Sequence, residues 1–132
     1  MPATEIISDE LAYPPNFGSP TALAVAAGDF VYVSGMIAWD KERRIVGVGD
    51  VRVQTEKVIA NIEATLKAAG LGLKDIVKVV FYLTDIRDKA AVWDVRKAFF
   101  KDCRPASTLV EVVHLVDPLA LLEVDAVAYR GP

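Results

Sequence analysis

The spacing of apolar residues divides this chain into helical and extended segments. Between residues 51 and 69, inward-facing positions recur every three or four residues, as they do on one face of a helix. They are Val51, Thr55, Val58, Ile59, Ile62, Leu66 and Ala69. Asp50 precedes them as a candidate N-cap, and Gly70 follows where helices commonly end in the left-handed conformation. The pattern predicts a long amphipathic helix.

A second, shorter helix is predicted between Asp88 and Pro105. Asp88 is placed to cap its first turn, and a proline cannot continue a helix. The inner face consists of Val92, Val95 and Phe99, at spacings of three and four residues.

Six further segments have the alternating pattern or the β-branched and aromatic content of strands. They cover residues 5–7, 23–27, 30–34, 76–83, 106–113 and 121–129. Gly28 and Asp29 predict a tight turn between the second and third segments, and we expect Gly35 to end the third. The segment 76–83 is almost apolar on both faces, which is typical of a central strand. This order of elements favours one α+β domain over residues 1–132, a six-stranded mixed sheet with two helices on one face.

The last strand has two unlike faces. The side that we expect the helices to cover is formed by Leu122, Val124, Ala126 and Ala128. On the opposite side Glu123 lies among aliphatic residues, and we place Ser107 and Leu109 of the preceding strand on this mixed face. So much aliphatic surface does not stay bare in water. We therefore expect the chain to associate with itself and to enclose Glu123 in clefts between subunits.

The charge of the chain argues against nucleic acid as a partner. Its net charge is -3, whereas phosphate binding depends on a basic face. The one dense basic cluster, Lys41, Arg43 and Arg44, contains Glu42 and is interpreted as a solvated turn. His114 is the only histidine, which argues against a metal site and excludes an acid–base pair of two histidines.

Features of membrane and secreted proteins are not found in the sequence. No stretch has the roughly 20 apolar residues of a membrane span, and residues 1–10 lack the basic-then-apolar pattern of a signal peptide. Cys103 is the only cysteine, so no internal disulfide can form, and no adjacent base activates its thiol. We expect a cytoplasmic protein with no membrane partner and an unreactive thiol.

Seven ordered segments resemble those of a known protein family. They are FVYVSG at 30–35, AAGL at 68–71, DIVK at 75–78, AFF at 98–100, PA at 105–106, VEV at 110–112 and LEVDAVA at 122–128. In this order they resemble the RidA/YjgF family, also called L-PSP. The resemblance implies a chorismate-mutase-like fold, a homotrimer with three ligand clefts between subunits, and no metal or organic cofactor. Its best-known members are enamine and imine deaminases, which hydrolyse intermediates such as 2-aminoacrylate to a 2-keto acid and ammonia.

The resemblance also implies a set of site residues. The glutamate that orients water in the family corresponds to Glu123, and the family's Ser-Gly pair is present as Ser34 and Gly35. By spacing, an early tyrosine of the family falls near Thr21, and an asparagine of the second helix corresponds to Trp93. We predict Glu123 as the catalytic residue. The predicted substrate-binding residues are Thr21, Ser34, Gly35, Trp93, Ser107 and Leu109.

The family residue whose loss matters most in this chain is an arginine. The arginine that clamps the substrate carboxylate follows the Pro-Ala pair, where Ser107 stands here, and Leu109 replaces a cysteine two residues on. A serine cannot form the two-pronged ion pair of an arginine. Arg96 or Arg104 could supply the charge from another direction. The chain therefore resembles an arginine-lacking branch of the family.

Three functions follow from these residues. The leading one is hydrolysis of a small imine or enamine with release of ammonia, because Glu123 is present. The alternative is a small-molecule-binding or pathway-assisting trimer without turnover, because the arginine is lost. A weaker one is the endoribonuclease or translation-inhibiting role for which some relatives are named, which the acidic charge and single histidine oppose.

Overall fold

A computed structural model describes residues 3–132, so Met1 and Pro2 of the predicted domain lie outside the described part. Its strands are β1 (Thr4–Ile6), β2 (Ala24–Ala27), β3 (Phe30–Met36), β4 (Ile76–Leu83), β5 (Ala106–Glu111) and β6 (Leu122–Tyr129). Its helices are α1 (Val51–Ala68) and α2 (Lys89–Phe99). The strands form one sheet in the order β1-β2-β3-β6-β4-β5, in which only the β4–β5 pair is parallel. The predicted α+β fold with a six-stranded mixed sheet is confirmed.

Both helices pack on one face of the sheet and form the core with it. The sheet contributes the alternate residues of β6 predicted from the sequence, together with Val79 and Phe81 of β4. The inner face of α1 contributes Val58 and Leu66, and α2 contributes Val92; all are fully buried. Burial of a side chain of this size stabilises the fold by about 1.5–3 kcal/mol. The two predicted inner helix faces are confirmed.

Strand β3 is longer than predicted. It continues through Gly35 to Met36, and its pairing with β6 shifts register between Val33 and Met36. The expectation that Gly35 ends the strand was wrong, because the neighbouring β6 extends far enough to pair Met36 with Val124. A glycine inside a strand often marks such a register shift.

The two helices begin in different ways. Asp50 caps α1 as predicted, since its Oδ1 accepts hydrogen bonds from the backbone N–H groups of Arg52 and Val53, each at 3.1 Å. Asp88 makes no such bond before α2, so the predicted side-chain cap was wrong. The backbone of Asp88 is already helical, with φ −78° and ψ −3°, whereas a capping side chain needs an extended backbone.

Two buried polar residues of α1 hold the loops above it. Asn61 Nδ2 donates to the carbonyl oxygens of Ile37 at 3.2 Å and Trp39 at 3.0 Å. Gln54 Nε2 donates to the carbonyl oxygen of Leu119 at 3.0 Å. Because both amides are buried and bonded, they attach the segments after β3 and before β6 to the helix.

We predict that Asp50→Ala lowers the free energy of unfolding by about 1 kcal/mol, since two amides of the first turn of α1 lose their acceptor. Urea denaturation followed by circular dichroism measures the change. Asp88→Ala is the matched control and should stay within about 0.5 kcal/mol of wild type. If both variants lost the same free energy of unfolding, the conclusion that Asp50 caps its helix and Asp88 does not would be contradicted.

Candidate active site

The shifted register of β3 brings Gly35 directly against Glu123 of β6. A Cβ built on residue 35 would clash with Glu123 Oε2 and would lie 2.8 Å from Glu123 Cδ. Only a glycine leaves room for this carboxylate. The Ser-Gly pair and the glutamate, assigned from distant parts of the sequence, are therefore neighbours in the structure.

The Glu123 carboxyl is partly shielded from water and has no cationic partner. Burial raises its pKa above the ordinary 4.5, and the negative charge of Asp125 adds to this effect. Within residues 3–132 no side chain or amide hydrogen-bonds to the Glu123 carboxylate. Asp125 accepts a bond from Tyr82 Oη at 2.9 Å, which raises the pKa of that phenol. A carboxyl with a raised pKa and no fixed partner is suited to hold water and to exchange protons with it.

Glu123 lines a cleft of about 400 Å³. The walls come from the segment before β2, the end of β3 and the loop that follows it, and they include Thr21, Ser34 and Gly35. Ser34 Oγ donates to the carbonyl oxygen of Ala22 at 2.6 Å, so its hydrogen is in use and the oxygen can act only as an acceptor toward a ligand. We call this site the Glu123 cleft. It unites four of the predicted site residues in one subunit.

Two further residues of the Glu123 cleft were not predicted from the sequence. They are Trp39 and Arg43, on the loop after β3. The Arg43 guanidinium stacks on the ring of Trp39 at 4.3 Å and on that of Phe17 at 4.9 Å, measured from Cζ to the ring centroids. Trp39 Nε1 donates to Asp117 Oδ2 at 3.0 Å, which holds the indole in place.

The interpretation of this loop as a solvated turn was therefore wrong for Arg43. Its side chain folds back over aromatic rings into the cleft, whereas Lys41 and Arg44 are exposed. Nothing in the local sequence distinguishes the three basic residues, because the aromatic partners lie on either side of the turn. Trp39 was a usable signal, since an exposed loop seldom carries a tryptophan.

Ser107, Leu109 and Trp93 lie away from the Glu123 cleft. Pairing of β5 with β4 places Ser107 beside Val79 and Leu109 beside Phe81, on the face that the helices cover. The expectation that Ser107 and Leu109 share the face of Glu123 was wrong. Alternation shows which residues share a face, but the register with β4 decides which face that is.

Arg96 organises this second group of predicted residues. Its Nη1 donates to Ser107 Oγ at 2.7 Å, and its guanidinium stacks on Trp93, 5.8 Å from Cζ to the ring centroid. Burial lowers the pKa of Arg96, although the group stays charged. Arg104 is exposed. We call Trp93, Arg96, Ser107 and Leu109 the Arg96 cluster.

The remaining candidates have ordinary surroundings. Burial raises the pKa of the Cys103 thiol, which keeps it protonated and fits the expectation that it is unreactive. Within residues 3–132 no group of three His, Cys, Asp or Glu side chains is arranged to hold a metal ion. In the same part of the chain, neither helix is both long and apolar enough to span a bilayer.

Comparison with known proteins identifies relatives of this chain over most of its length. The family model for Endoribonuclease L-PSP matches residues 17–130. A RutC family protein of Pyrococcus abyssi is 39% identical over 128 residues, which cover 97% of this chain and 98% of the relative. The 3-aminoacrylate deaminase RutC of Acinetobacter baylyi is 38% identical over 125 residues, covering 95% and 97%.

A solved structure has the same fold. The crystal structure of E. coli TdcF with bound serine has a TM-score of 0.87 and 29% identity to this chain, covering 97% of this chain and 99% of TdcF. The family model and the near full-length relatives agree with the ordered motifs of the sequence. The chain belongs to the RidA/YjgF family, also named for L-PSP.

Proposed function

We propose that this protein hydrolyses a small imine or enamine to a carbonyl compound and ammonia. The observation that carries the proposal is the Glu123 carboxyl, which is shielded, unpaired and packed on Gly35 at the wall of a ligand-sized cleft. A relative with 38% identity is named a 3-aminoacrylate deaminase, which supports the same class of reaction here.

The residues of the Glu123 cleft suit each step of this hydrolysis. Ionised Glu123 orients a water molecule and accepts its proton as the oxygen bonds to the carbon of the C=N group. Glu123 returns this proton to the nitrogen, which gives a carbinolamine. It then transfers the hydroxyl proton of the carbinolamine to the nitrogen, so that the C–N bond breaks and ammonia leaves as the C=O bond forms. Ser34 Oγ, which already donates to Ala22, can accept a hydrogen bond from the substrate N–H.

We also propose that the complete site forms between subunits of a homotrimer. The Glu123 cleft and the Arg96 cluster lie on opposite faces of the sheet, and they are separated by β4. Within one chain they cannot contact the same small ligand. Strand β5 is an edge strand. Exposed apolar side chains lie on it and on α2: Val110 of β5 is 38% exposed and Trp93 of α2 is 41% exposed. An open edge with apolar neighbours is suited to contact a second copy.

A binding role without turnover is the alternative. It is favoured by one observation, the Ser107 hydroxyl, which hydrogen-bonds to Arg96 where the family's clamping arginine would stand. Cleavage of RNA has less support, since the chain carries a net charge of -3 and its one histidine, His114, is exposed.

We predict that Glu123→Gln lowers the enzyme-catalysed rate of ammonia release by a factor of about 10²–10⁴, because the amide cannot accept the proton of water. Imines are generated in situ by an amino-acid oxidase, and the rate in buffer is subtracted. The wild-type rate should rise with pH through an apparent pKa above the ordinary 4.5 of a glutamate, since ionised Glu123 is the active form. Glu56→Gln, an exposed change on α1, is the control and should leave the rate unchanged.

Stability measurements separate this effect from misfolding. A raised pKa in the folded state means that ionisation of Glu123 opposes folding, so Glu123→Gln should be at least as stable as wild type at neutral pH. The difference should vanish as the pH falls below the ordinary pKa of 4.5. Unchanged ammonia release by a folded Glu123→Gln protein would sink the catalytic assignment.

We predict that Gly35→Ala reduces activity strongly and stability only slightly. The new methyl group displaces the Glu123 carboxylate, and a side-chain end can move aside at little cost in folding free energy. Turnover and thermal unfolding are measured on the same preparation. Gly72→Ala is the control, because a Cβ there meets nothing within 4 Å. Full activity in Gly35→Ala would show that the position of the carboxylate is unimportant.

We predict a molar mass of three times the 14.3 kDa of one chain in light scattering after size-exclusion chromatography. A shared site makes a further prediction, that Glu123→Gln and Arg96→Ala chains complement each other when refolded together. Some clefts of the mixed trimers then combine an intact Glu123 with an intact Arg96. Each variant refolded alone serves as the control. A stable monomer would refute the intersubunit site. Mixed trimers no more active than either variant refolded alone would also refute it.

A further inference from the structure

We propose that Arg43 binds an anionic group of the ligand in the Glu123 cleft, and that this protein therefore selects imines or enamines carrying a carboxylate. The substrate class rests on the proposed function above, whereas anion binding by Arg43 does not. Arg43 and Glu123 line the same cleft of one subunit, so a single ligand can contact both.

The first support is the unsatisfied guanidinium. Arg43 Nε is buried and has no hydrogen-bond partner within residues 3–132. In the same residues no acidic side chain lies within ion-pair distance of Arg43. Buried charged donors in proteins are normally paired. A ligand carboxylate would supply the missing partner.

The second support is the orientation that the aromatic rings impose. The Cζ of Arg43 lies over the rings of Trp39 and Phe17. A ring face is not a carboxylate or carbonyl acceptor, so these contacts leave the guanidinium N–H groups without an oxygen partner. These N–H groups form the fork that accepts a carboxylate in a two-pronged hydrogen bond. The Trp39 indole is itself held by Asp117, so this platform is positioned before a ligand arrives.

The third support is backbone strain at Arg43. Its φ is +59°, the left-handed region that glycine or asparagine usually occupies. The turn is closed by a hydrogen bond from Arg43 N to Asp40 O at 3.0 Å, and in such hairpin loops the left-handed position, here Arg43 itself, favours a glycine. A large side chain kept in a strained conformation beside a cleft is typical of a functional position.

The acid of the same turn, Asp40, is already bonded to backbone amides. Asp40 also lines the cleft, but its Oδ1 accepts the backbone N–H groups of Glu42 and Arg44, each at 2.9 Å. Asp40 therefore stabilises the turn and does not neutralise Arg43. The positive charge of Arg43 stays available to a ligand, at the part of the cleft formed by the loop after β3.

Calorimetric titration with 4-methyl-2-oxopentanoate and with its neutral methyl ester tests the proposal without turnover. Wild type should bind the acid more tightly than the ester. Arg43→Gly should weaken binding of the acid at least tenfold and leave the ester unchanged. Arg43→Lys should lie between, because an ammonium group does not form the two-pronged bond. Arg44→Ala, in the same turn, is the charge-matched control and should match wild type.

Thermal unfolding distinguishes anchoring from a structural role. Arg43→Gly should be as stable as wild type or more stable, because glycine relieves the strain at φ +59°. Equal acid affinity in wild type and Arg43→Gly, or no binding of the acid by wild type, would overturn the proposal. If Arg43 binds the acid but the protein hydrolyses no imine, anion binding by Arg43 is upheld and only the proposed deaminase function is refuted.

Discussion

The contact between the Glu123 carboxylate and the backbone of Gly35 sets the geometry of the whole site. It depends on the pairing of β3 with β6, whose register shifts between Val33 and Met36. The same shift carries β3 on to Met36 and starts the loop that brings Trp39 and Arg43 to the cleft. One irregularity in the sheet therefore positions the carboxyl, the cleft and the cationic side chain together.

Polar side chains with hydrogen-bond partners and those without them lie in different parts of this fold. Most partly buried polar side chains have partners: Tyr82 bonds to Asp125, and Trp39 bonds to Asp117. Among residues 3–132 the Glu123 carboxyl and Arg43 Nε have no hydrogen-bond partner, and both belong to one cleft. Desolvation of an unpaired charge costs free energy, so a protein retains such groups where a ligand uses them.

The second half of the proposed site has a different chemistry. In the Arg96 cluster, Ser107 bonds the guanidinium and Phe81 and Trp93 lie beneath it. The serine does not carry the charge itself; it holds an arginine contributed by α2. If a neighbouring subunit presents this cluster to the Glu123 cleft, the complete site has cations from two chains around one catalytic carboxyl, which would favour anionic ligands.

The sequence by itself determined the helices, the six strands to within two residues at each end, and the buried face of β6, because periodicity is a local signal. The ordered family motifs singled out Glu123 as the candidate catalytic residue. It also brought Ser34 and Gly35 to the same site by resemblance. Only the tertiary structure decided that Gly35 lies inside β3, that Ser107 faces the helices and that Arg43 enters the cleft. Each of these depends on strand register or on rings distant from the residue, and alternation within one segment contains no information about either.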